Sequence, residues 1–235
     1  MNQNHSSTAV TKHMQHGVVV LPGQSLQTGE VQRVLRNTYA LLAMTLIFSG
    51  AVAAAAVTWQ LPAPGLVLTL VGYVGLLFAV HKLQNSAWAL PVVFALTGFM
   101  GYTLGPVLSH YLAVPGGAQT ISLALGSTGI SFLALSAYVL ATRKDFSFMG
   151  GFLFMGMVVA LIAGLAAMFL DIPALGLAVS GIVALLSAGM ILFETSQIVN
   201  GGERNYVLAT VGLYVSLFNL FTSLLTLFSF GGHNE

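Results

Sequence analysis

From residue 35 to residue 230 the chain alternates long apolar stretches with short polar breaks. Crossing a hydrocarbon core of about 30 Å takes roughly 20 consecutive apolar residues in a helix. Seven stretches of this kind predict seven membrane helices, at Leu35–Thr58, Gly65–Val80, Ala87–Leu112, Gln119–Ala141, Ser147–Leu170, Ala174–Val199 and Tyr206–Phe230. The breaks collect turn-forming residues: Pro62 and Pro64, Pro115 with Gly116 and Gly117, Pro173, and Gly201 with Gly202. Residues 1–34 have the opposite character, rich in Asn, Gln, Ser, Thr and His, with one apolar patch at Val18–Leu21 closed by Pro22 and Gly23. A segment that buries so little apolar area does not offset its ordering entropy. The expected organisation is therefore a disordered tail over 1–34, a transmembrane domain over 35–230, and a short C-terminal tail over 231–235. The first 30 residues lack the basic, apolar and small-residue succession of a signal peptide, so the first span is expected to direct insertion itself.

Composition makes lipid the solvent. Hydrophobic residues make up 57% of the chain, charged residues 6%, and the mean hydropathy is +0.90. A soluble domain carries about 25% charged residues, and seven basic plus six acidic side chains among 235 residues do not cover a water-facing surface. The fold class that follows is an all-α polytopic membrane protein. A net charge of +1 gives no clustered basic face for nucleic acid. The absence of cysteine removes disulfides, thiol catalysis and thiolate metal sites.

Charge also orients the chain. If the connections alternate inside and outside with the N-terminal tail inside, Lys12, Arg33, Arg36, Lys82, Arg143, Lys144 and Arg204 all fall on the inner side. Positive-inside bias then predicts a cytoplasmic N-terminus and, with an odd number of spans, a periplasmic C-terminus.

Candidate chemistry is sparse. Small residues let helices approach closely in lipid. Span three has Gly98 and a Gly101-x-x-x-Gly105 pair, and span four has Ser122, Gly126, Gly129 and Ser136. Close packing is the simpler reading of both sets and a pore lining the other. Pro106 removes a backbone hydrogen bond inside span three and predicts a kink. Glu194 is the one acidic residue inside these spans. A charged side chain at the bilayer centre costs about 2.5–3.5 kcal/mol on insertion scales, so such residues face the bundle interior. Ser180, Ser187 and Glu194 recur every seven residues and share one face of span six. Ser216, Asn219, Ser223 and Thr226 make a matching stripe on span seven. The two stripes are expected to face each other or a wet cavity, with span seven as the core of the bundle. Glu194 either locks the helices by hydrogen bonding or responds to ions and protons, with Arg36, Lys82 or Arg143 as potential partners at the inner rim. Ser216 and Asn219 accompany it as candidates. His5, His13 and His16 lie in the tail and His110 beside Tyr111, in no metal-ligating arrangement, and no cofactor is expected. No nucleophile–base set, phosphate loop or zinc helix is recognisable, so catalysis is not expected.

Several segments resemble a known family. These are Phe99-Met100-Gly101-Tyr102-Thr103-Leu104-Gly105-Pro106, Thr142-Arg143-Lys144-Asp145-Phe146-Ser147-Phe148, Ile191-Leu192-Phe193-Glu194-Thr195-Ser196 and Leu213-Tyr214-Val215-Ser216-Leu217-Phe218-Asn219-Leu220-Phe221. Together they resemble the Bax inhibitor-1 family, and more closely its bacterial branch of modulators of the membrane-bound AAA protease FtsH. The likeness runs from Arg33 to about Phe228. It implies six helices surrounding a central seventh, association with FtsH and its HflK/HflC partners in the inner membrane, and restraint of FtsH's attack on other membrane proteins. The polar tail suits that role, since an ATP-driven protease needs a loose cytoplasmic end to grip. The resemblance also carries an alternative, a pH-sensitive calcium leak gated by a pair of acids in the last two helices. Glu194 matches the first acid, but Ser216 stands at the second position. That departure removes the like-charged pair on which such a switch depends. A glutamate with hydroxyl and amide neighbours still offers weak cation coordination.

Overall fold

A computed structural model describes residues 22–231. Its helices are α1 (Pro22–Thr58), α2 (Leu66–Leu83), α3 (Ala89–Leu112), α4 (Gly117–Thr142), α5 (Gly150–Phe169), α6 (Pro173–Val199) and α7 (Tyr206–Gly231), with a short 3₁₀ turn at Ser147–Met149 leading into α5. There is no strand among the described residues, and each of the seven helices is long and apolar enough to cross a membrane. Helices meet the lipid constraint because their backbone groups pair within the segment. Large apolar side chains such as Val67, Phe78, Phe152, Phe154 and Leu185 point outward, where lipid solvates them.

The helix α7 is the centre. Half of its spanning window is buried, against 6% in α2, 17% in α5 and no more than 33% in any other helix. It packs against α1, α3, α4 and α6, whereas α2 rests mainly on α3 and α5 on α6. The six helices therefore surround the seventh unevenly. The main core gathers Leu213, Tyr214, Leu217 and Leu220 of α7 with Leu42 of α1, Leu96 and Met100 of α3, and Ile191 of α6.

The N-terminal boundary differs from expectation. Helix α1 begins at Pro22, so residues 22–34, read from sequence as part of an unfolded tail, are helical. Once a membrane helix exists, extending it carries no nucleation cost, and proline is suited to a first helical position. Val34 and Leu35 pack against the main core. The remainder of the expected tail, residues 1–21, lies outside the described residues, and so does 232–235.

The turns use the residues that the breaks supplied. Gly116 and Gly201 adopt φ of 76°, open to glycine at little cost. Arg143 caps α4 at φ 50°, in the left-handed region, its backbone N–H donating to the Val139 carbonyl at 2.8 Å. Asn205 opens α7: its side-chain oxygen accepts from the Val207 N–H at 2.9 Å. Its amide donates to the Asn85 side chain at 3.1 Å and to Gln84, tying α7 to the α2–α3 connection.

The seam between α1 and α3 is close. A Cβ on Gly101 would sit against the Ser49 backbone carbonyl and 2.9 Å from the Ser49 hydroxyl, and one on Gly105 against the Ala56 methyl. Helix α3 continues through Pro106, which leaves the Tyr102 carbonyl without its helix donor. In α4 the small residues have a different place. Gly126 and Gly129 are exposed with nothing within 4 Å of an added Cβ. Close approach belongs to α3 and not to that pair.

Candidate functional site

The polar stripes of α6 and α7 meet at one point. The Ser216 hydroxyl donates to Oε2 of Glu194 at 3.0 Å. The other carboxylate oxygen lies over the α7 backbone at Gly212, where an added Cβ would be 2.6 Å from Oε1. A bare backbone at 212 thus makes room for the carboxyl group between the two helices. Ser216 can donate here because its side chain is buried and faces α6, nearly three turns from the start of the helix.

The rest of the two stripes is not paired across the interface. Ser180 and Thr226 each return their hydroxyl to a carbonyl one turn back on their own helix. Ser187 is fully buried with no hydrogen-bond partner. Asn219 lines a groove of about 570 Å³ between α2 and α5, together with Tyr73, Phe99, Phe154 and Phe218. Of the basic residues suggested for Glu194, none forms an ion pair with it. Arg36 and Arg143 line another cavity altogether.

Two aromatic residues extend the polar centre beyond what the stripes implied. The Tyr214 hydroxyl is hydrogen-bonded to the Ser49 hydroxyl of α1 and to the Thr97 carbonyl of α3 at 3.3 Å. Tyr73 of α2 packs against the core cluster that contains Tyr214. Ser136 of α4 adds a contact to Thr195 of α6 at 3.4 Å. A tyrosine in an apolar run reads as core or as an interfacial ring. The signal that could have found the pair is the run of Thr38, Thr45 and Ser49 along one face of the apolar α1, all three buried.

At the rim that carries the described basic residues, the α4–α5 connection is knitted to α6. The Phe146 N–H donates to the Ser196 hydroxyl at 2.9 Å, which in turn donates to the Lys144 carbonyl at 3.2 Å. Asp145 accepts from both the N–H and the hydroxyl of Ser147, and these bonds hold its carboxyl below the usual carboxylate range. Beside this connection is a cavity of about 850 Å³ between α1, α4 and the α6–α7 turn. His110, in the last turn of α3, meets Tyr111 edge-on at 6.0 Å between ring centres. His5, His13 and His16 lie outside the described residues. Among the described residues no three His, Cys, Asp or Glu side chains are grouped to hold a metal.

These features define a polytopic helical membrane protein whose central helix is held by hydroxyl contacts and one intramembrane glutamate. The chain belongs to the Bax1-I family, described as inhibitor of apoptosis-promoting Bax1, whose pattern matches residues 31–233. A Pseudomonas aeruginosa protein of uncharacterised function is 52% identical over 206 residues, covering 88% of this chain and 93% of the relative. A relative from Escherichia coli K12, named modulator of FtsH protease YccA, is 52% identical over 202 residues, covering 86% of this chain and 92% of its own length. A Neisseria meningitidis relative is 33% identical over 222 residues, 91% of this chain and 96% of that protein. A second E. coli relative bears the name inner membrane protein YccA. With seven spanning helices, the chain is a multi-pass inner-membrane protein.

Proposed function

We propose that this protein modulates the FtsH protease in the inner membrane, occupying it as a slow competing substrate and so sparing other membrane proteins. The observation that carries the reading is the 52% identity, across nearly the whole length of both chains, to the E. coli modulator of FtsH protease. The position of the charges supports the geometry this requires. With the N-terminus cytoplasmic and the C-terminus periplasmic, every lysine and arginine lies on the inner side. Residues 1–21 are then a polar leader on the face where an ATP-driven protease works, continuous with α1. HflK/HflC, as companions of the protease, belong to the same proposed assembly, and the role assigns no catalytic step to this chain.

The test is FtsH turnover of a membrane substrate in proteoliposomes, with the full chain, with a form lacking residues 2–21, and with neither. Full-length protein is expected to slow turnover, and the shortened form to leave it at the control rate. Equal protection by both forms would sink the handle, and no protection by either would sink the role.

A cation leak is the second reading, favoured by one observation: among the described residues Oε1 of Glu194 has no hydrogen-bond partner. Calcium flux into liposomes holding Glu194→Gln or the unaltered chain tests it. Flux that is absent, or unchanged by the substitution, rules it out.

A further inference from the structure

We propose that the cavity at the basic rim binds the phosphate of an anionic phospholipid headgroup, with the lipid's glycerol end lying against its apolar floor. The sequence contains four arginines, and all four line this one cavity: Arg33 and Arg36 from α1, Arg143 from the end of α4, and Arg204 from the α6–α7 turn. They come from three separate parts of the chain. The lysines of the same rim stay out of it. Lys82 is not among its walls, and Lys144 lies over the Tyr138 ring at 5.7 Å. Orienting the protein in the membrane requires positive charge on one side, and lysine serves that as well as arginine. It does not require that one cavity take every arginine and neither described lysine. The forked guanidinium is the group suited to phosphate, which it binds through two parallel hydrogen bonds.

The cavity has a surplus of positive charge. Among the described residues its carboxylates are Glu30 and Glu203, and none of the four guanidinium groups forms an ion pair or hydrogen bond with another described residue. Glu203 is already engaged, its Oε1 accepting from the Asn205 N–H at 2.7 Å. Two positive charges therefore go unmatched, around about 850 Å³ of space. The arginines are exposed at the mouth, while Val34, Leu35, Leu140 and Val199 supply an apolar wall continuous with the spans. A polar mouth over an apolar wall at the bilayer edge matches a lipid headgroup better than a soluble anion, which gains nothing from the wall.

Native mass spectrometry of the full chain, offered equal amounts of phosphatidylglycerol and phosphatidylcholine, tests the assignment. The unaltered protein is expected to retain phosphatidylglycerol selectively. One basic residue near an anionic headgroup is worth about fivefold in affinity, so Arg36→Gln with Arg143→Gln together should lower the preference about 25-fold. Lys82→Gln with Lys144→Gln removes equal charge from the same rim outside the cavity and should leave the preference intact. An equal loss in the lysine variant would overturn the site in favour of diffuse attraction, as would a wild-type protein with no preference. Displacement of the lipid by inorganic phosphate would overturn the lipid assignment in favour of a soluble anion. If the double arginine variant does not fold, Arg143→Lys carries the test, because it keeps the charge and loses the fork. Weakened preference supports the site, and undiminished preference overturns the forked contact.

Discussion

Gly101 and Gly105 set how closely α1 and α3 can approach, and alanine at either position should force the seam apart. At Gly101 the new Cβ would lie 2.9 Å from the Ser49 hydroxyl and 3.0 Å from the Ser49 carbonyl carbon, with the carbonyl oxygen nearer still. Ordinary contact needs several tenths of an ångström more at each. The obstruction is backbone, so no side chain can turn aside to relieve it. Overpacking of this kind costs about 1–3 kcal/mol, and a gap of 0.5–1 Å opened elsewhere along the seam forfeits roughly a quarter to a half of each contact's attraction. Alanine also gains about 1 kcal/mol in helix propensity. Gly126→Ala in α4 isolates that gain, because nothing lies within 4 Å of its Cβ. Gly101→Ala should therefore be less stable than Gly126→Ala by about 1–3 kcal/mol, the propensity cancelling in the comparison. Gly101→Ala with Gly105→Ala should cost less than the sum of the two, since the first substitution already separates the helices that the second would. Reversible unfolding in mixed micelles measures all four. Equal stability of Gly101→Ala and Gly126→Ala would refute the close seam.

Ser216 and Glu194 should be coupled. A double-mutant cycle of Ser216→Ala and Glu194→Ala is expected to give about 0.6 kcal/mol, and no more than about 1.7, the range for hydrogen bonds between membrane helices. A coupling of zero would mean that the pair is only adjacent. Asp145 makes a pH prediction. Its carboxyl is held below the usual carboxylate range by Ser147, so its contribution is fully present above the unfolded value and is lost as pH falls through the lower folded one. The melting temperature of the unaltered protein should exceed that of Asp145→Ala by a constant margin from neutral pH to mildly acid pH. The margin should close only below the usual carboxylate range. A margin that closes near neutrality would assign the effect to another group.

The spans were legible because lipid leaves one answer for an apolar run of that length. Six helices begin and end within three residues of their expected positions, and four of the six turns fall on or beside the glycines and prolines that interrupt the pattern. Residues 22–34 were misread for a physical reason. Their composition opposes independent folding, but they propagate a helix nucleated by the membrane span behind them. The contact of Ser216 with Glu194 was legible from helical spacing, since both stripes could be drawn on adjacent helices. Tyr214 with Ser49 was not, because 165 residues separate them and an apolar-run tyrosine gives no sign of the helix it will meet. The same holds for the arginines. Arg36 and Arg204 read as topology signals one at a time, and only the fold brings them around one cavity.

The identity of residue 216 bears on which function the centre can support. Two acids facing each other there would be held together only while they share a proton, and their separation on losing it is what makes a proton-operated gate. A serine hydroxyl donates to a carboxylate and accepts from a carboxylic acid. The contact of Ser216 with Glu194, at 3.0 Å, therefore persists whichever form the glutamate takes. Around it, Tyr214 bonds to α1 and α3, and Ser136 of α4 meets Thr195 of α6. These contacts fasten the central helix and its neighbours together without a change of charge. Under the proposed role as a slow substrate, a bundle fastened by such contacts is the arrangement a protease would have to pull apart, and at residues 194 and 216 it lacks the like-charged pair that would open it as pH changes.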